Sequence, residues 1–181
     1  METETLTIKF DGQSHQVDVQ TFVYSVLNFT TVIKEANKKN GGDILNINIK
    51  APEKGSLLVD IVTNAVNNPT LLSGTTILAS TFVIVKGLYE LHGFISGKKQ
   101  KEIKKANGLT IIILEHGSTL AITENIDNIY ATTPARSDAI SKNFSALSED
   151  PAVNNFEVTK SNGEKIISVP KEDYGRLSNK Q

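Results

Sequence analysis

Hydrophobic and polar positions along this chain switch repeatedly between a period of two and a period near 3.6. Leu6, Ile8 and Phe10 alternate with Thr5, Thr7 and Lys9, the mark of a strand with one buried face. Asp11-Gly12 follows, a dipeptide that accepts the positive φ angles of a two-residue turn. His15, Val17 and Val19 then alternate again, which predicts an opening hairpin over 6–19. From Gln20 to Lys39 the period changes. Phe22, Val26, Phe29, Ile33 and Ala36 recur at steps of three and four, predicting a helix with one apolar stripe that Val23 and Leu27 widen. Asn40-Gly41-Gly42 ends it, because glycine takes the left-handed cap at no steric cost.

Alternation returns at Leu45, Ile47 and Ile49, and again at Leu57, Val59 and Ile61. The loop 51–55 between them makes this a second hairpin. Pro69-Thr70 marks a helix start, and the helix runs to about Phe94 with a break or bend near Gly87. Leu78, Phe82, Val85, Tyr89 and His92 occupy one side of it, and Ile77, Ile84, Leu88, Leu91 and Ile95 another. Apolar residues on two faces mean burial on two faces, in one core or against a partner subunit. Lys98 to Lys105 reads as a short basic helix or linker closed by Gly108. Leu109–Leu114 and Thr119–Thr123 form a third hairpin. Thr133-Pro134 opens another helix, which carries Ala139, Ile140, Phe144 and Leu147 and stops at Asp150-Pro151. Phe156 and Val158 pair across Asn162-Gly163 with Ile166, Ile167 and Val169 in a fourth hairpin. One more helical turn is expected around Tyr174. Hairpins alternating with helices, around a long central core helix, give an α+β fold with antiparallel pairing. The division expected is a core domain over 1–133 and a helix-hairpin extension over 134–181 that can pack in the same domain.

Composition narrows the function. The 181 residues include no cysteine, which removes disulfides, thiolate nucleophiles and cysteine-based zinc sites. The net charge of −1 supplies no field that draws nucleic acid or anionic lipid. The acidic start Met1-Glu2-Thr3-Glu4 lacks the basic and apolar regions of a secretory signal, so a cytoplasmic location is expected. No charge falls between Asp60 and Lys86, which suggests a membrane-associated reading through 61–95. Asn64, Asn67, Asn68, Pro69 and Gly74 interrupt that stretch, however. Its dense apolar part, Ile77 to Val85, is far shorter than the ~20 residues of a span.

Chemistry-bearing motifs are sparse. His15, His92 and His116 lie on a strand, a helix and a turn, and none has a ligand partner at the i+4 spacing of a helical metal site. Glu115-His116 are neighbours at a strand end, where adjacent side chains point apart. There is no G-x-S-x-G elbow and no complete S-x-x-K set of the penicillin-binding kind. Gly41-Gly42 precedes a strand, so no helix N-terminus is there to hold a phosphate. No catalytic residue, metal site or cofactor is assigned. The ligand-binding candidates are Lys98, Lys101 and Lys105, which share one face if helical, with Lys54 and Ser56 at the mouth of the second hairpin. These could meet a phosphate-bearing ligand, although no aromatic residues are interleaved for base stacking.

The run from the opening hairpin (Leu6 to Val19), through a helix with Phe22 and Leu27, to Ile47 and Ile49 before Gly55-Ser56-Leu57 and a strand, is architectural. With the late segment Val153 to Val158, it resembles a group of uncharacterised bacterial and prophage proteins. That resemblance implies a bacterial or mobile-element setting and no active residues. The function expected is a non-enzymatic binding or interaction protein acting as a homo-oligomer. In phage–host conflict it would bind a small nucleotide-like ligand or a partner protein. The alternatives are a hydrolase with dispersed residues, using His116 or His92 with a carboxylate, and a membrane-associated effector.

Overall fold

The computed structural model describes residues 2–12, 16–42, 45–50, 58–65 and 77–179. The first alternating run is β1 (Glu2–Asp11), with Leu6, Ile8 and Phe10 buried. Its partner is not the expected return strand. Val19 opens a helix, α1 (Val19–Lys39), and Asp18 caps it by accepting the Gln20 and Thr21 N–H groups at 2.9 and 3.1 Å. An N-cap aspartate satisfies donors that a helix leaves orphaned, and here that local gain ends the alternation. β1 pairs instead with β3 (Leu58–Ala65) on one side and β7 (Asn155–Lys160) on the other. Alternation specifies a buried face and leaves the partner open. Gly12 does not adopt a positive φ, and its role is steric: a Cβ there would run into the Ala152 carbonyl oxygen.

The main sheet has the order β2 (Leu45–Ile49), β3, β1, β7, β8 (Lys165–Pro170), all antiparallel. The second and fourth hairpins form as expected. Leu6 stands opposite Ile61, Ile8 opposite Val59 and Val158, and Phe10 opposite Phe156, so one face is apolar. The other face is polar: Thr7 donates to Asp60 at 2.7 Å and Lys165 pairs with Glu157 at 2.8 Å. Antiparallel sheets commonly stand with one face in water.

Helices cover the apolar face. α1 packs beside α4 (Pro134–Glu149), and both contribute to an aromatic cluster in which Phe29 and Phe144 meet Phe156 edge-on at 6.3 and 6.4 Å. α2 (Ile77–Ile95) packs beside α1, against the main sheet at β1, β3 and β8, and against a second sheet. Both of its apolar faces are buried in the same core, with Val83 the large apolar residue it leaves exposed. The partner-subunit reading of its second face therefore falls away. By length and composition α2 meets the requirement for crossing a bilayer, but most of it is covered by the rest of the chain. It also runs unbroken through Gly87, where the absent Cβ admits the Ile126 side chain of α3 (Glu124–Thr132).

The second sheet is β4 (Gln100–Ala106), β5 (Leu109–Leu114), β6 (Thr119–Thr123). The segment 98–105, expected as a short basic helix or linker, is thus a strand from Gln100 onward. Asn107 and Gly108 both take positive φ, 54° and 75°, and this Asn-Gly turn folds β4 back on β5. The dipeptide is itself a hairpin signal, which a reading of Gly108 alone as a terminator misses. α3 was not expected either, although Thr123 caps it by accepting the Ile126 N–H, and Glu124 and Asp127 stand in its first turn.

The C-terminal segment completes the same sheet, since β7 neighbours β1. A turn of 3₁₀ helix and then α5 (Tyr174–Leu177) follow β8, as expected around Tyr174. Arg176 donates to the carbonyls of Gly93 and Ser96 at 2.7 and 3.2 Å and pairs with Asp173 at 2.9 Å. It caps the end of α2, where unpaired carbonyls concentrate negative charge.

Candidate interaction face on α1

The buried side of α1 is set by Thr21, Ser25, Val26, Phe29, Val32, Ile33 and Ala36. Val19, Val23 and Leu27 recur at steps of four and fall on the opposite side, 69%, 49% and 56% exposed. The sequence places Val23 and Leu27 at the edge of the core stripe, and the structure turns them to solvent. The reason is geometric. One sheet face covers about a third of a helix circumference, and α1 is apolar over more than that. Tyr24 flanks this stripe at 55% exposure. Four large exposed apolar residues on two and a half turns form a contiguous patch, unlike scattered surface apolars.

The patch is held rigidly. Thr21 donates to the Ala146 carbonyl at 3.2 Å, and Ser25 donates to Asn143 Oδ1 at 2.6 Å. Asn143 in turn donates to the Tyr89 hydroxyl of α2 at 3.0 Å. Burial pushes that phenol well above its ordinary range, against a smaller opposing effect of the Asn143 hydrogen bond. At the helix start, the Asp150 carboxylate accepts the Asp18 and Ala152 N–H groups at 2.7 and 2.8 Å. Between α1 and α4 runs a groove of about 530 Å³, lined by Asp18, Tyr24, Asn28, Lys142, Ser145 and Glu149 among others.

Charge is unevenly distributed along this face. Its start carries Asp18 and Glu149 and its far end carries Lys34 and Lys38, all exposed, with the exposed Lys142 of α4 in the groove beside the first pair and the half-buried Glu35 beside the two lysines. Lys34 lies seven residues beyond Leu27, two helical turns along the same stripe.

The other candidates are placed elsewhere. Lys98 follows α2 and lies 5.7 Å from the Phe94 ring centroid. Lys101 falls at the bulge in β4 between Gln100 and Glu102. Lys105 pairs with Asp127 at 2.8 Å, and that carboxylate, by hydrogen bonding and charge, raises the lysine above its ordinary value. In a strand, positions 101 and 105 are about 13 Å apart, twice the helical separation, so the compact helical cluster expected for them is replaced by an extended spacing. Lysines on an exposed edge strand guard it against pairing with other chains. Lys54, Ser56 and His15 lie outside the described residues.

His92 is fully buried. Its Nδ1 is 2.7 Å from the Tyr130 hydroxyl and its Nε2 is 2.8 Å from the Leu177 carbonyl. The carbonyl can only accept, so Nε2 carries the proton and Nδ1 accepts from the phenol. Both nitrogens are thereby engaged in tying α2 to α3 and α5. Burial lowers the His92 pKa below its ordinary value, partly offset by the Leu177 hydrogen bond and reinforced by the Arg176 charge. Because the unfolded chain takes up this proton first, stability is full above about pH 7 and declines as pH falls through about 6.5, by at most ~1.4 kcal/mol per pH unit. Chemical unfolding at pH 7.5 and 5.5 checks this. The wild-type loss is expected to shrink in His92→Gln, and an equal loss in both would contradict it. His116 sits in the exposed turn between β5 and β6. Among the described residues, no three histidine or carboxylate side chains converge to hold a metal. Comparison with protein-family models, curated proteins and solved structures finds no match, so the functional reading rests on this geometry.

Proposed function

We propose that the protein is a non-enzymatic interaction module that docks a partner through the outer face of α1. The observation that carries this reading is the exposed stripe of Val19, Val23 and Leu27 beside Tyr24, on a helix whose other side is anchored by buried hydrogen bonds. Rigid presentation lowers the ordering cost of binding, and exposed aromatic and aliphatic groups in one patch are the usual anchors of an interface. The groove beside the patch offers a neighbouring site for a small ligand, with the Tyr24 ring and Lys142 among its walls. A nucleotide-like compound, and a bacterial or prophage setting of host–phage conflict, belong to this proposal. The occupied ring nitrogens of His92 favour binding over a histidine-based hydrolase.

Photo-crosslinking from position 23 tests the reading. With Val23 replaced by a photoreactive phenylalanine analogue, irradiation of producing cells is expected to give a discrete adduct. The same analogue at Ser118, in the exposed β5–β6 turn, is expected to give none. No adduct from position 23 at any mass would remove the proposal.

A further inference from the structure

Resting on that reading, we infer that the partner of the α1 face is a second copy of this chain, paired about a two-fold axis with the two α1 helices antiparallel. The charge order along the face carries the inference. One end presents the carboxylates of Asp18 and Glu149, the middle presents Val19, Val23 and Leu27, and the other end presents Lys34 and Lys38. A patch that is acidic, apolar and basic in sequence is complementary to itself when reversed. In a two-fold interface each residue meets its counterpart in reversed order. Asp18 and Lys34 lie equally far from position 26, inside the Val23–Leu27 turn, so an axis through that turn brings Val23 and Leu27 of one copy beside Leu27 and Val23 of the other and sets Val19 along the stem of the other's Lys34. The same axis sets each copy's Lys34 over the other's Asp18. A parallel pairing would instead set lysine on lysine and acid on acid, which opposite-patch steering disfavours.

The size of the surface sets the strength. α1 spans about 31 Å and offers a strip roughly 10 Å wide. That is less than the ~800 Å² per partner of a standard interface. The exposed side of α4, with Lys142 and Glu149, must therefore join it, and the dimer is expected in the micromolar range.

Sedimentation of the full chain from about 1 to about 500 μM tests this, the range in which an interface of this size associates. The wild type is expected to pass from monomer to dimer. Leu27→Asp, which buries a carboxylate at the axis, is expected to weaken the dimer by about 100-fold or more. Lys34→Glu and Glu149→Lys are each expected to weaken it about tenfold, through like charges repeated at two symmetric places, while the double variant returns it to within about threefold of wild type. Circular dichroism of each variant keeps loss of fold distinct from loss of contact. A dimer indifferent to Leu27→Asp, or no rescue in the double charge exchange, overturns the antiparallel arrangement. A chain that stays monomeric throughout overturns self-pairing. If position 23 then crosslinks to a protein of another mass, the docking reading of α1 survives it, and if position 23 yields no adduct, both fall.

Discussion

Phe156→Ala is expected to cost about 4 kcal/mol, on the order of half the stability of a domain this size. Phe156 of β7 is fully buried, and rings from three other elements converge on it. Its ring meets Phe10 of β1 at 5.8 Å, Phe29 of α1 at 6.3 Å and Phe144 of α4 at 6.4 Å, each edge-on. Truncation removes the transfer free energy of the ring and leaves a cavity whose walls are themselves rigid rings. It also removes three edge-to-face contacts, each worth about 0.5–1.5 kcal/mol beyond area burial. Phe156→Leu keeps most of the volume and is expected to cost about 1.5 kcal/mol or a little more. Denaturant midpoints with unchanged slope measure both. A loss below about 1 kcal/mol for the alanine variant would mean that the cluster collapses freely around the gap.

Gly12→Ala is the second large effect expected, above about 3 kcal/mol, because it sets a new side chain against backbone. The added methyl group would meet the Ala152 carbonyl oxygen. Neither segment can step aside. Asn154 N–H donates to the Asp11 carbonyl at 2.6 Å, and Asp150 holds both the Asp18 and Ala152 N–H groups. Gly41→Ala is the informative control. Gly41 has a φ of +82°, but a Cβ there would meet nothing within 4 Å, so the cost is backbone strain of about 1–2 kcal/mol. Soluble yield and unfolding midpoint rank the two. If Gly12→Ala is no worse than Gly41→Ala, the close approach is not a constraint on folding.

These two residues also show where sequence reading stops. Phe156 is legible as core from its alternation with Val158, but nothing in that pattern says that its neighbours are Phe10, Phe29 and Phe144. Gly12 is legible as special, and the local explanation, a hairpin turn, is the wrong one. What constrains it is a carbonyl 140 residues away in the chain. The same holds on α1. The steps of three and four identify the helix, whereas the inclusion of Val23 and Leu27 in the buried stripe assumes that the core wraps further around than one sheet face does. Their departure from the stripe formed by Phe22, Val26, Phe29, Ile33 and Ala36 is the trace that could have marked them as surface.

Period, turn dipeptides and caps suffice for what is local. The α+β class, α1, the burial of α2 on two faces and the β2–β3, β5–β6 and β7–β8 hairpins all follow from backbone geometry acting within a few residues. The tertiary structure alone decided the rest: that β1 lies between β3 and β7, that His92 is locked between Tyr130 and Leu177, and that Val19, Val23 and Leu27 face outward. Each of those depends on which distant segment supplies a hydrogen-bonding edge or a covering surface. A one-dimensional pattern records that a side chain wants burial, and only the packed molecule has a limited area in which to grant it.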